Sequence, residues 1–286
     1  MRHGEKAFLK IAAEAAFLAG KLLLRRYGKL KQSQIQVKSR HDFVTEVDCE
    51  SQRLIISTIQ KYFPDHHFYA EEGEKESMPD HGVLWVIDPL DGTANYIHRF
   101  PLFSISIGVL VDGKPRTGVI YDPVHREMFT AQKGKGAFLN GKRISVAKTK
   151  ALEDALMATG IPFRARDRFE EYMASFRRIS LASAGMRRGG SAALDLAYVA
   201  CGRLDGFWEL DLALWDIAAG ALLIEEAGGR VTDVWGGKEH WVRGDILAAN
   251  SFVHEELLRI TSKCLIKRKG CCEAVPSRTQ RSRKGA

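Results

Sequence analysis

The pattern with the most chemistry in it is a pair of carboxylates at the end of an apolar run. Val83 to Ile87 leads directly into Asp88-Pro89-Leu90-Asp91-Gly92-Thr93. Such a run reads as a buried strand ending in a tight turn, because Asp, Pro and Gly each favour turns for separate physical reasons. Hard divalent cations such as Mg²⁺ bind carboxylate and carbonyl oxygens and keep water positions open for a phosphate substrate. Gly92-Thr93 can turn free backbone N–H groups toward an anion, above all where a helix begins. Carboxylates for metal beside donors for phosphate are the equipment of metal-assisted ester hydrolysis. An Asp-Pro-x-Asp-Gly turn is also common for purely structural reasons, so the reading depends on what else the chain supplies.

Three further features bear on it. Asp42-Phe-Val-Thr-Glu-Val-Asp48 opens an apolar-periodic helix through Leu54, Ile55 and Ile59. Asp48 sits where that helix starts, a position that also suits a plain N-cap. Glu71-Glu72-Gly73 lies seventeen positions before Asp88. Late in the chain, Glu209 is followed by Trp215-Asp216 and a helix from Ile217 to Ala227 that stops at Gly228-Gly229, as a C-cap should. Asp216 by itself would again pass as an N-cap.

Together these residues resemble the inositol monophosphatase family, the magnesium-dependent, lithium-sensitive sugar phosphatases. The match comprises Glu71-Glu72, Trp85-Val-Ile-Asp-Pro-Leu-Asp-Gly-Thr-Ala-Asn-Tyr96, Gly190-Ser191-Ala192-Ala193, Trp215-Asp216-Ile-Ala-Ala-Gly220 and the spacing of seven from Glu209 to Asp216. It runs from about Ala7 to Ile266, and Arg187-Arg188-Gly-Gly-Ser-Ala-Ala-Leu-Asp is typical of the bacterial branch. Ala94 and Tyr96 stand where the family usually has Thr and Phe; neither is an expected metal ligand.

The resemblance implies a layered α/β fold, a five-layer αβαβα sandwich with the site between two halves. Residues 1–150 would carry most metal ligands and 151–266 would complete the site. It implies two to three Mg²⁺ ions per site. Glu71, Asp88 and the carbonyl of Leu90 would hold one, Asp88, Asp91 and Asp216 a second, with a third, weakly held, near Glu71. Thr93 with Asp48 would orient the attacking water, making Thr93, Asp48 and Glu71 the catalytic set. Asp91, Gly92, Thr93, Gly190, Ser191, Ala192, Glu209 and Asp216 would contact the substrate, although Ser191 also suits a helix cap. The implied reaction is hydrolysis of inositol 1-phosphate by a homodimer. Related phosphatases act on fructose 1,6-bisphosphate, nucleotide 3′-phosphates or histidinol phosphate; Asn95-Tyr96 and the Glu209 spacing favour inositol phosphate. Some bacterial relatives are implicated in transcription, so weak contact with RNA or the transcription machinery is the reading from another class.

These residues need elements to position them. The periodicity predicts helices over about 5–27 and 46–62, and strands around Val83–Ile87, Phe103–Val111, Lys114–Tyr121 and Glu127–Gln132. Asp112-Gly113 and Asn140-Gly141 predict tight hairpins, because such pairs accept the positive φ angles of the favoured turns. From about Leu152 short strands alternate with helices at Phe169–Ile179, Ala192–Cys201 and Ile217–Glu226, a second α/β set.

The rest of the sequence mainly excludes. A chain of 286 residues, 45% apolar and 27% charged, is ordinary for a globular protein. No apolar run approaches the roughly 18 residues of a membrane span. Glu14 and Lys21 interrupt the first apolar segment, which reads as an amphipathic helix and not a leader. Five unpatterned cysteines (49, 201, 264, 271 and 272) suit reduced thiols in the cytoplasm. Cys201 lacks the setting of a cysteine phosphatase and reads as a buried helical residue. His66-His67 have no further spaced ligands for zinc. No nucleophile elbow or triphosphate-binding loop is present. Of the last twenty residues, 267–286, seven are Lys or Arg against one Glu, so six of the eight net positive charges lie there. That segment lacks apolar periodicity and is expected to be disordered.

Overall fold

A computed structural model describes residues 2–39, 42–73, 81–162 and 165–267. The basic tail expected to be disordered lies, from Arg268 onward, outside the described residues. The small and branched residues of the first segment form α1 (Arg2–Arg26), which buries Ile11, Ala12, Ala15, Ala16, Ala19 and Leu23. A two-stranded hairpin, β1 (Ile35–Ser39) and β2 (Asp42–Thr45), leads into α2 (Glu46–Gln60). Then come β3 (His67–Ala70), β4 (Val83–Asp91) and the short α3 (Thr93–Ile97). Five strands follow: β5 (Ser104–Val111), β6 (Lys114–Asp122), β7 (Glu127–Gln132), β8 (Gly136–Leu139) and β9 (Lys142–Ile144). They pair in chain order with β3 and β4 to make a seven-stranded sheet, antiparallel except for β3 beside β4. Both predicted hairpin turns are present, with φ of 49° and 70° at Asp112 and Gly113 and of 48° and 78° at Asn140 and Gly141.

The later residues supply β10 (Leu156–Thr159), α4 (Phe169–Ala182), β11 (Gly185–Arg187), α5 (Ala192–Ala200), β12 (Gly206–Glu209) and α6 (Leu214–Glu226). They end with β13 (Arg230–Thr232), α7 (His240–Arg243), β14 (Ile246–Ala249) and α8 (Ser251–Cys264). Their strands form a five-stranded mixed sheet in the order β11-β10-β12-β14-β13. Helices α1 and α2 pack on one face of the large sheet, α5 and α6 lie between the sheets, and α4 and α8 pack together beyond the small sheet. This is the layered α/β order expected from the sequence. None of the described helices is long and apolar enough to cross a membrane.

Helix α6 lies unusually close to the large sheet. A Cβ added at Gly108 would sit 2.8 Å from the Ala218 Cβ, and one at Gly118 would sit 2.8 Å from the Ala219 carbonyl oxygen. Only glycine lets β5 and β6 meet the helix backbone at that separation.

Candidate active site

Strand β4 ends in an irregularity that matters for chemistry. Asp88 pairs with Ser106 of β5 and Asp91 with Ser104, so three positions on one strand span two on the other. In a regular strand, residues three apart face opposite sides. The extra residue of the bulge turns both carboxylates to the same side. Helix α6 brings the third: carboxylate oxygens of Asp88, Asp91 and Asp216 all lie within 4.8 Å of one another. The three residues are 1%, 9% and 6% exposed.

Their electrostatics follow from crowding out of water. Burial, then the charges of Glu71, Asp91 and Asp216, push the Asp88 carboxyl well above the usual range. Burial and Asp216 push Asp91 up to about 7, against hydrogen bonds from Ser191 and the Ala193 N–H. Buried like charges this close are stable only when protonated or neutralised by a cation. Glu71 follows the end of β3, and its N–H donates to the Ile87 carbonyl at 3.1 Å. Its charge is the largest carboxylate influence on Asp88.

Neither Asp48 nor Asp216 is an N-cap. Thr45 caps α2, and Asp48, three residues later, returns the bond by accepting from the Thr45 N–H at 2.9 Å. Asp216 does the same at the start of α6, accepting from the Ala213 N–H at 2.7 Å. Each helix therefore begins three residues earlier than an N-cap Asp would require, because the acid sits at the third helical position. At α2 it completes a capping box with Thr45, whereas Ala213 has no side-chain oxygen to give the reciprocal bond. The second oxygen of Asp48 accepts from Thr93 Oγ1 at 2.9 Å. Burial, outweighing its hydrogen bonds, raises Asp48 to about 6.

The opposite wall comes from the second half of the chain. Ser191 caps α5, as one of its two predicted roles required. Its hydroxyl donates to Asp91, and the Ala193 N–H donates to the same carboxylate oxygen at 2.8 Å. Gly190 has φ of 84° and its carbonyl oxygen approaches Gly92, whose φ is 95°. Asn95 Nδ2 donates to the carbonyls of Leu102 at 2.7 Å and Gly189 at 2.9 Å, tying the two turns together. Glu209, at the end of β12, fills the space beside Gly160, where a Cβ would lie 2.0 Å from its carboxylate. Burial, followed by Asp216 and Asp195, raises Glu209 well above its usual range, and Arg188 opposes the shift.

Asp195 escaped the sequence reading. It is 4% exposed, and burial together with Asp91 raises it well above normal. The available signal was a lone acid within the otherwise apolar helix Ala192–Ala200. Two side readings also resolve. Cys201 is not within a helix but caps the C-terminus of α5, half-buried. His66 accepts the indole N–H of Trp85 at 2.9 Å and stacks on Phe63, a structural setting.

The family model described as inositol monophosphatase family matches residues 5–265. The chain belongs to the inositol monophosphatase family. An inositol-1-monophosphatase of Rhizobium meliloti is 42% identical over 257 residues, 90% of this chain and 97% of the relative. A protein named Nus factor SuhB from Pseudomonas aeruginosa is 45% identical over 254 residues, 87% of this chain and 94% of the relative. The crystal structure of extragenic suppressor protein suhB from Bartonella henselae superposes with a TM-score of 0.86 at 40% identity, covering 90% of this chain and 99% of that one. As a member of this family the chain is a phosphatase, a phosphoric monoester hydrolase. The matched region ends just before the basic segment.

Proposed function

We propose that the protein hydrolyses inositol 1-phosphate to inositol and phosphate, with Mg²⁺ held by Glu71, Asp88, the Leu90 carbonyl, Asp91 and Asp216. The observation that carries this reading is the buried carboxylate triad, whose oxygens lie within 4.8 Å of one another. The donor set fits the ion: it is all oxygen, as hard cations require, and its crowded negative charge calls for a counter-charge. An ion held by these residues would supply Lewis-acid activation of water and charge neutralisation at the phosphoryl group.

The chain's own residues do the rest. The Thr93 hydroxyl donates to Asp48, so the lone pairs of Oγ1 are left to accept from a water. Asp48, anchored by the Thr45 N–H, keeps that hydroxyl from rotating. Gly92 and Thr93 turn their backbone toward the phosphate. Glu209 accepts from substrate hydroxyls, and Gly190, Ser191 and Ala192 form the wall against which the ring sits. Gly160 leaves room for the Glu209 carboxylate. A phosphate-release panel of inositol 1-phosphate, fructose 1,6-bisphosphate, a nucleotide 3′-phosphate and histidinol phosphate, with and without Mg²⁺, tests the proposal. It is wrong if another ester is preferred by a wide margin or if Mg²⁺ is without effect.

The name of the Pseudomonas relative, Nus factor SuhB, favours a second reading alongside catalysis: contact with RNA or the transcription machinery. The net positive charge concentrated in 267–286 is the part of this chain suited to it.

A further inference from the structure

Helix α2 touches three of the stretches on which the proposed cation and water ligands sit. Asp48, Ser51 and Gln52 are spaced i, i+3 and i+4, so they share one face of the helix. Asp48 accepts from Thr93 at 2.9 Å. Ser51 Oγ donates at 2.8 Å to the carbonyl of Pro89, which lies between Asp88 and Leu90. Gln52 makes two bonds to one residue: its Nε2 donates to the Glu72 carbonyl at 2.6 Å, and its Oε1 accepts from the Glu72 N–H at 2.9 Å.

A side-chain amide that satisfies both backbone groups of one residue stands in for a neighbouring strand. The chain is held by β4 as far as Glu71, whose N–H donates to Ile87. At the next residue α2 takes over. Glu71 is thus bracketed on both sides by backbone bonds, and the paired donor and acceptor fix which way the Gln52 amide must point. Glu72 is 8% exposed, so releasing its backbone groups would leave them without ready access to water.

We infer that Gln52 is a positioning residue for the cation site, acting through the backbone of Glu72 to set Glu71 against Asp88. The inference rests on the proposed role of Glu71 as a Mg²⁺ ligand. Partners that orient a ligand from behind typically change metal affinity by about 10–100-fold when removed.

The test uses the full chain. Gln52→Met keeps the side-chain length and removes both bonds. Gln52→Glu keeps the acceptor for the Glu72 N–H and loses the donor. Calorimetric Mg²⁺ titration without substrate should show affinity falling about 10-fold or more in Gln52→Met. The Mg²⁺ concentration for half-maximal phosphate release should rise in parallel, with kcat at saturating Mg²⁺ and KM for the ester near wild type. Hydrogen exchange at the Glu72 amide should quicken in Gln52→Met and stay slow in Gln52→Glu, which should bind Mg²⁺ more tightly than Gln52→Met. If Gln52→Met does not fold, a Gln52→Glu variant with reduced Mg²⁺ affinity supports the inference and one with wild-type affinity overturns it. A lower melting temperature with unchanged Mg²⁺ affinity would mean that the clamp is only structural. If the wild type itself takes up no Mg²⁺, the functional reading falls and this inference falls with it. If the wild type binds and Gln52→Met binds equally, the inference alone is wrong.

Discussion

Ser191 donates its hydroxyl proton to Asp91 across one hundred positions of sequence. The bond joins the end of β4 to the N-terminus of α5, and the Ala193 N–H reinforces it at 2.8 Å. The leading donors of α5 are therefore spent on a carboxylate of the protein, which suits the positive end of a helix. Ser191→Ala should lower stability by about 1–2 kcal/mol, since it removes a cap and a bond to a buried acid. It should also raise the Mg²⁺ requirement. Ser191→Thr, which keeps the hydroxyl, should restore most of both. Denaturant melts and Mg²⁺ titrations of the two variants make the comparison.

Asp88→Asn keeps the shape of the side chain, including an oxygen for the Leu90 N–H bond seen at 3.0 Å. Activity should fall by more than about 100-fold, beyond the loss expected from an outer partner alone. Without Mg²⁺ the variant should melt higher than the wild type, because one charge leaves a crowded, buried cluster. Turnover near wild type at saturating Mg²⁺ would rule out the proposed role of Asp88 as a Mg²⁺ ligand.

Thr93→Ala and Asp48→Asn should each lower kcat by about 100-fold or more while KM changes little, as befits an interaction that serves the transition state. Because Thr93 and Asp48 are in direct contact at 2.9 Å, the double mutant should be scarcely worse than either single one. Additive losses measured by steady-state kinetics would mean that the two act separately.

His254 gives the fold a pH-dependent weakness. It is fully buried, and its Nε2 lies 3.0 Å from Thr232 Oγ1, which itself donates to the Asp233 carbonyl at 2.7 Å. The ring must then donate from Nε2, and Nδ1 has no partner. Burial, with Arg230 adding repulsion, lowers its pKa to about 4. The unfolded chain takes up this proton near pH 6.5, whereas the folded chain refuses it until about pH 4. Stability should therefore drop by about 3 kcal/mol as pH falls between those values. Urea melts at pH 7, 5 and 4 should show the drop, and His254→Gln should remove this part of it.

Truncation after Lys267 should leave kcat and melting temperature unchanged. Lys267 itself belongs to the fold, lying over Trp235 and 3.7 Å from Glu239. RNA affinity should fall, and its dependence on salt should flatten, because fewer counterions are released per complex. Titrations at two salt concentrations decide. Unchanged RNA affinity would point to the folded body.

Local chemistry made parts of this fold legible in the sequence. Asp112-Gly113 and Asn140-Gly141 announce their turns, and Val83 to Ile87 announces a buried strand, because each signal acts over a few residues. The short hairpin of β1 and β2, and α8, were not foreseen; their stability depends on what packs against them. Asp48 and Asp216 were recognisable as important, but their place at the third helical position depends on Thr45 and Ala213 upstream. Gln52 gave no signal, because a partly exposed glutamine on a helix is ordinary until Glu72 is known to lie opposite.

The closeness of α6 to the sheet has a consequence for ion choice. Asp216 rides on the first turn of the helix whose height above β5 and β6 is fixed at Gly108 and Gly118. Discrimination between Mg²⁺ and larger cations depends on cavity size and rigidity. A methyl group at either glycine would lift the helix and widen the gap between Asp216 and the two aspartates of β4. On the proposed reading of the triad as a Mg²⁺ site, the gauge for which ion fits is thus located in two residues that carry no side chain and face no solvent.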